Sequence, residues 1–144
     1  TPPTHVVAAF LVALRLHEAE GGVVGRGNRY FENRDVVVSG MRELGFETLL
    51  KDRWLSPIIV TFFCPSDENF IFEKFYELMK NKGFIIYPGK LTAVDSFRVG
   101  CIGQMDENVM LQVVAAAKGT LEEMGVTSAA PPAIALEERA KLAA

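Results

Sequence analysis

The chain has 144 residues, a formal net charge of −3, and hydrophobic residues making up 49% of its length. That size suits one domain burying roughly 70% of the surface its unfolded form exposes, and the composition suits a soluble globular fold better than disorder. The balance offers neither the basic footprint of a nucleic-acid binder nor a polybasic stretch for an anionic membrane, and no apolar run is long enough to span a bilayer.

The first helix is expected over 4–20. Val6, Val7, Phe10, Leu11 and Leu14 recur at helical spacing, and Thr4 follows two prolines as an N-cap. Gly21 and Gly22 interrupt it. A second helical pattern runs over about 24–44, with Tyr30, Val37, Met41 and Leu44 on one stripe and Gly45 as the stop. Gly25 and Gly27 weaken its first turns by roughly 1 kcal/mol each relative to alanine. Residues 46–50 suggest a short strand, and PIIVTFF over 57–63 is the clearest strand pattern in the chain.

After the turn PSDEN, the helical period resumes over 70–81 and Gly83 ends it. Residues 84–87 and 96–102 are expected as strands on either side of a Pro88-Gly89 turn. Asp106 caps a last long helix reaching Met124, and Gly125 closes it. The remainder, 126–144, is Ala/Pro-rich and is expected to be a mobile tail with a short terminal helix at most. The order α-α-β-β-α-β-β-α predicts an α+β domain over 1–125, a sheet of about four strands covered by helices.

Few residues suggest chemistry. In SFRVGCI, Phe97, Val99 and Cys101 share one strand face, while Ser96, Arg98, Gly100 and Ile102 share the other. Small neighbours leave room above Arg98. Its planar guanidinium can there grip a carboxylate or phosphonate oxygen pair, or it can reach an edge and pair with Asp95 or a helix carboxylate. His5 and His17 have no cysteine or carboxylate at metal-ligand spacing, so no metal site is expected. Lys90, after the turn, is expected to be solvated, and an amine needs a desolvated setting to act as a Schiff-base nucleophile. Cys64 and Cys101 lie in apolar runs and suit buried free thiols of a cytoplasmic protein.

The runs TPPTHVVAAF, NRYFENRDVVVSGMRELGFE and YPGKLTAVDSFRVGCIG, with the acidic-capped helix after them, resemble the C-terminal part of the 2-aminoethylphosphonate–pyruvate transaminases. These belong to class V of the fold-type I, pyridoxal-phosphate-dependent aminotransferases. The likeness covers residues 1–125 in unbroken order, and the YPGK…DSFRVGxIG run is its most specific part. It implies the small C-terminal domain of that fold, with a linking helix at its start. Arg98 then matches the arginine that holds the substrate carboxylate. Thr1, just before Pro2, matches a threonine that reaches the cofactor phosphate of the neighbouring subunit in a homodimer.

The resemblance also implies the reaction: the amino group of 2-aminoethylphosphonate passes to pyruvate through pyridoxal 5'-phosphate, giving phosphonoacetaldehyde and alanine. The family's Schiff-base lysine, its aspartate facing the pyridine nitrogen and its main phosphate loop lie upstream of the matched part. No residue of this chain takes the lysine's role, so the chain alone is expected to be inactive. The competing expectation is a stand-alone anion-binding or dimerisation module of the same fold.

Overall fold

We describe a computed structural model, covering residues 1–89 and 94–142. Its helices are α1 (Thr4–Ala19), α2 (Gly22–Glu43), α3 (Phe72–Asn81), α4 (Glu107–Met124) and α5 (Ala133–Leu142). Its strands are β1 (Ile59–Phe63), β2 (Tyr87–Pro88) and β3 (Ser96–Gly100), in the antiparallel order β1-β3-β2. A 3-10 turn over Asp52–Trp54 precedes β1.

The inner sheet face carries Val60, Phe62, Phe97 and Val99 into one core with Val37 and Met41 of α2, Phe75 and Met79 of α3, and Met110, Val113 and Ala117 of α4. Aromatic rings organise its centre: Phe97 meets Phe46 edge-on at 5.5 Å and Phe75 at 5.4 Å between centroids, within the range of favourable ring pairs. α2 and α4 approach closely because Gly40 has no side chain. A Cβ there would lie 2.7 Å from both methyl groups of Val114. Asp106 caps α4 as expected, accepting from the backbone N–H of Asn108 and Val109 at 3.1 and 3.2 Å, and Gly125 ends it in the left-handed conformation.

The α+β architecture is as expected, with three strands among the described residues in place of about four. The strand over 46–50 reduces to one bridge, Thr48 to Phe62. Thr48 donates its hydroxyl to the Leu50 carbonyl and accepts from Arg42, which turns the chain away after one step of pairing. Pairing expected over 84–87 begins only at Tyr87, because the Phe84 N–H is spent on the Met79 carbonyl, closing α3 around Gly83. α1 begins at Thr4 itself, with Pro3 as its cap.

The segment after Gly125 lies against the rest of the chain and ends in the short helix α5. Asp67 accepts from the N–H and hydroxyl of Thr127 and from the N–H of Ser128, while Ser66 donates to the Ala130 carbonyl. Ala129 and Ala135 are buried, and Arg139 of α5 pairs with Glu47 at 2.7 Å. The Ala/Pro-rich segment is thus contacted by polar side chains that lie far upstream in sequence. Among the described residues no helix is long and apolar enough to cross a membrane.

Candidate functional site

The outer sheet face, away from the core, carries Arg98. Its register places Thr61 of β1 on one side and Tyr87 of β2 on the other. Backbone bonds from Cys64 to Asp95 and from Cys101 to Ile58 fix the alternation between β1 and β3. Thr61 and Arg98 therefore form a non-hydrogen-bonded pair, the position where facing side chains stand closest. On the β2 side the Gly89 N–H donates to the Ser96 carbonyl at 2.7 Å. This puts Pro88, opposite Phe97, where the ladder requires no N–H, so the edge strand tolerates a proline.

Gly89 is obligatory on steric grounds. A Cβ there would fall 1.9 Å from the Ser96 hydroxyl. The Tyr87–Gly89 segment thus lies flat against the start of β3, and its Pro88 carbonyl accepts from Arg98 Nη2 at 3.1 Å. That bond fixes the tilt of the guanidinium. The face is covered at one end, where Phe63 and Ser96 are buried, and open at the other, where a Cβ on Gly100 would meet nothing within 4 Å.

Arg98 is half-buried, and its Nε is shielded from solvent without a hydrogen-bond partner. Among the described residues no carboxylate pairs with it, and Asp95, the expected alternative partner, is exposed. A shielded cationic donor left unpaired costs on the order of 1–3 kcal/mol. The arrangement suits an anion arriving from outside, whose two oxygens the guanidinium fork can take at once.

The remaining sequence-based candidates do not join this face. Thr1 is exposed ahead of α1. His5 is exposed and His17 half-buried on α1. Among the described residues no three His, Cys, Asp or Glu side chains gather as a metal site. Lys90 lies outside the described residues. Cys64 and Cys101 are free and buried, and burial pushes their thiols up to about 12 and about 11, which leaves them poor nucleophiles.

Pyridoxal phosphate requires a desolvated lysine, and the described residues do not fit that need. Lys51, Lys74, Lys118 and Lys141 are exposed, Lys80 pairs with Glu77 and Lys82 with Glu123. Sequence reasoning found Arg98 but not what frames it. Thr61 and Gly89 enter through cross-strand register, which the chain states only indirectly through the Pro88-Gly89 pair.

Comparison with known proteins now places the chain. It is 74% identical over all 144 residues to the 2-aminoethylphosphonate–pyruvate transaminase of Rhizobium meliloti, and 68% identical over 143 residues to transaminase 1 of that name from Paraburkholderia xenovorans. In sequence the chain is a homologue of the 2-aminoethylphosphonate–pyruvate transaminases. It spans 38% and 37% of the length of those two relatives. No family model matches it.

Among solved structures, a ureidoglycine–glyoxylate aminotransferase from Bacillus subtilis superposes with a TM-score of 0.67 at 18% identity, over 89% of this chain and 33% of that one. A subgroup IV aspartate aminotransferase from Thermus thermophilus gives 0.57 at 20% identity, over 67% of this chain and 27% of that one. These likenesses establish the fold as one found within aminotransferases. The homologous transaminases are enzymes, so the family is an enzyme family.

Proposed function

We propose that this chain is the C-terminal part of a transaminase that moves the amino group of 2-aminoethylphosphonate to pyruvate, with Arg98 orienting pyruvate by its carboxylate. The observation that carries the reading is the half-buried Arg98, with no carboxylate beside it among the described residues, on a sheet face open toward Gly100. The names of the homologous relatives supply the two substrates. Residues 1–125 are then the small domain, and pyridoxal 5'-phosphate belongs mainly to parts of the protein outside this chain. The cofactor supplies the electron sink, while these residues supply orientation and charge.

Two further elements fit that assembly. α1 exposes Val6, Val7, Phe10, Leu11 and Leu14, more contiguous apolar surface than a free-standing domain usually shows. We assign it to packing against the large domain of the same protein. Thr1, on this reading, donates its hydroxyl to the cofactor phosphate of a neighbouring subunit in a cytoplasmic homodimer, and the chain alone is inactive.

The test is Arg98→Ala in a full-length protein containing this chain. Loss of a two-point charged contact, each bond contributing about 1.5–3 kcal/mol, should raise the pyruvate KM by about 100-fold. A pyruvate KM that does not move would remove the assignment.

A further inference from the structure

The strand that carries Arg98 is anchored at its far end by α2 rather than by the sheet. Pairing of β3 with β1 stops at the Cys101 N–H, which donates to the Ile58 carbonyl. Asn33, fully buried on α2, then donates both hydrogens of its amide, one to the Cys101 carbonyl and one to the Met105 carbonyl, each at 3.0 Å. One helical turn earlier, Arg29 donates through Nη1 to the carbonyls of Gly103 and Met105 at 2.5 and 2.8 Å. Two side chains spaced i, i+4 on one helix face thus direct four donor contacts onto a single loop, between the last residue of β3 and the cap of α4. Gly103 turns that loop through the left-handed region.

Arg29 is itself aimed. Its Nε donates to Glu20 Oε1 at 2.5 Å, and Arg26 takes the other oxygen of the same carboxylate at 2.6 Å. Glu20 sits where α1 passes into α2, so one chain of contacts runs from that junction through Arg29 to the exit of β3. The chemistry of each link is specific. Backbone carbonyls accept only donors, so an aspartate in place of Asn33 would fail, and a lysine in place of Arg29 lacks the fork needed to hold carboxylate and carbonyls together.

We propose that Arg29, with Asn33 beside it, is a positioning residue for Arg98. It fixes the direction in which β3 leaves the sheet, and an extended strand transmits that direction over the three residues back to the substrate arginine. Neither residue touches the open face, so both act through Arg98, and the proposal rests on the carboxylate-binding role given to Arg98 above. Small displacements of a positioned group carry large kinetic penalties, about 100-fold for 1 Å.

The experiment joins this chain to the upstream part of the Rhizobium meliloti relative and compares Arg29→Lys, Glu20→Gln and Arg98→Ala. Steady-state kinetics are measured with pyruvate, and amide exchange is followed across 96–101. Arg29→Lys should raise the pyruvate KM about tenfold, with kcat changed less than about twofold, and should speed exchange in β3. Glu20→Gln, a milder change that leaves the guanidinium in place, should give about threefold in the same direction.

Faster exchange with an unchanged KM would overturn the proposal, because the anchor would then be structural only. A raised KM with unchanged exchange would overturn it too, because the effect would not pass through β3. If Arg98→Ala raises KM while both other variants leave it alone, the site stands and the positioning role falls. If Arg98→Ala has no effect, the site reading fails and this proposal with it.

Discussion

α1 and α4 are both rich in apolar residues, yet α1 has no buried residue while α4 buries Met110, Val113, Ala117, Leu121 and Met124. The difference lies in pattern rather than in content. α4 gathers its apolar residues, Leu111 excepted, on the side facing α2 and α3, as a helix of one domain does. α1 distributes Val6, Val7, Phe10, Leu11, Val12, Leu14 and Leu16 around its circumference and packs chiefly against α2 among the described elements. A helix apolar on every side is built for burial on every side. The body of the molecule thus buries its own apolar face, whereas its first helix leaves its apolar residues exposed.

The sharpest way to break that comparison is to truncate the same residue type in each helix. Leu121→Ala in α4 removes buried methyl groups from a packed core and should cost about 2–5 kcal/mol. Leu11→Ala in α1 removes exposed ones and should change the stability of this chain by less than about 0.5 kcal/mol. Urea unfolding of the two variants measures both. A Leu11→Ala loss comparable to that of Leu121→Ala would mean that α1 is held by this chain after all.

The same contrast explains what could be read from the sequence. Helices with a stripe and a stop signal, such as α3 with Gly83 and α4 between Asp106 and Gly125, were legible nearly to the residue, because period and cap both act locally. Phe97, Val99 and Cys101 were assignable to the inner face from alternation alone. Residues 46–50 were misread because β-forming side chains do not reveal that Thr48 will bond its own chain at Leu50 and end the ladder. The contacts of 126–142 are illegible for the opposite reason. Nothing in TSAAPP announces that Asp67 and Ser66, some sixty positions earlier, will satisfy its backbone. Arg98 was visible as an odd cation between apolar neighbours, but Thr61, Tyr87 and Gly89 came to it through register, which is long-range information.

The boundary between the two regions can be sharpened at two glycines in the first turns of α2. Gly27→Ala meets nothing within 4 Å and should stabilise by about 0.5–1 kcal/mol, since alanine is the better helix former. Gly25→Ala should do the reverse. Its Cβ would lie 1.9 Å from the Glu20 carbonyl oxygen, so the α1–α2 junction must open to admit it. Thermal unfolding gives the signs directly. Two substitutions identical in chemistry and two positions apart should move Tm in opposite directions, and a shared sign would mean that the junction is not packed as described.

The smallest effects come from two half-buried carboxylates, one in each region. Asp67 in the body is held down to about 2 by hydrogen bonds from the backbone of Asn69 and Thr127. Glu20 at the junction is held down to about 2 by hydrogen bonds from Arg29 and Arg26. A folded-state pKa below the unfolded one, about 3.9 for Asp and 4.3 for Glu, means that the unfolded chain binds more protons in this window. Each contribution is therefore present above pH 4 and is lost as pH falls toward 2. Asp67→Asn should flatten part of the acid limb of a Tm-versus-pH curve, because it removes the proton whose uptake loosens 127–128. Glu20→Gln should leave the Tm curve of the body nearly parallel to that of the unaltered chain, while amide exchange in the first turns of α2 rises. Parallel Tm curves for both variants would mean that the contacts of Asp67 are too solvent-screened to hold the C-terminal segment, and the stability of that segment would then rest on the burial of Ala129 and Ala135 with the Ser66 and Arg139 contacts.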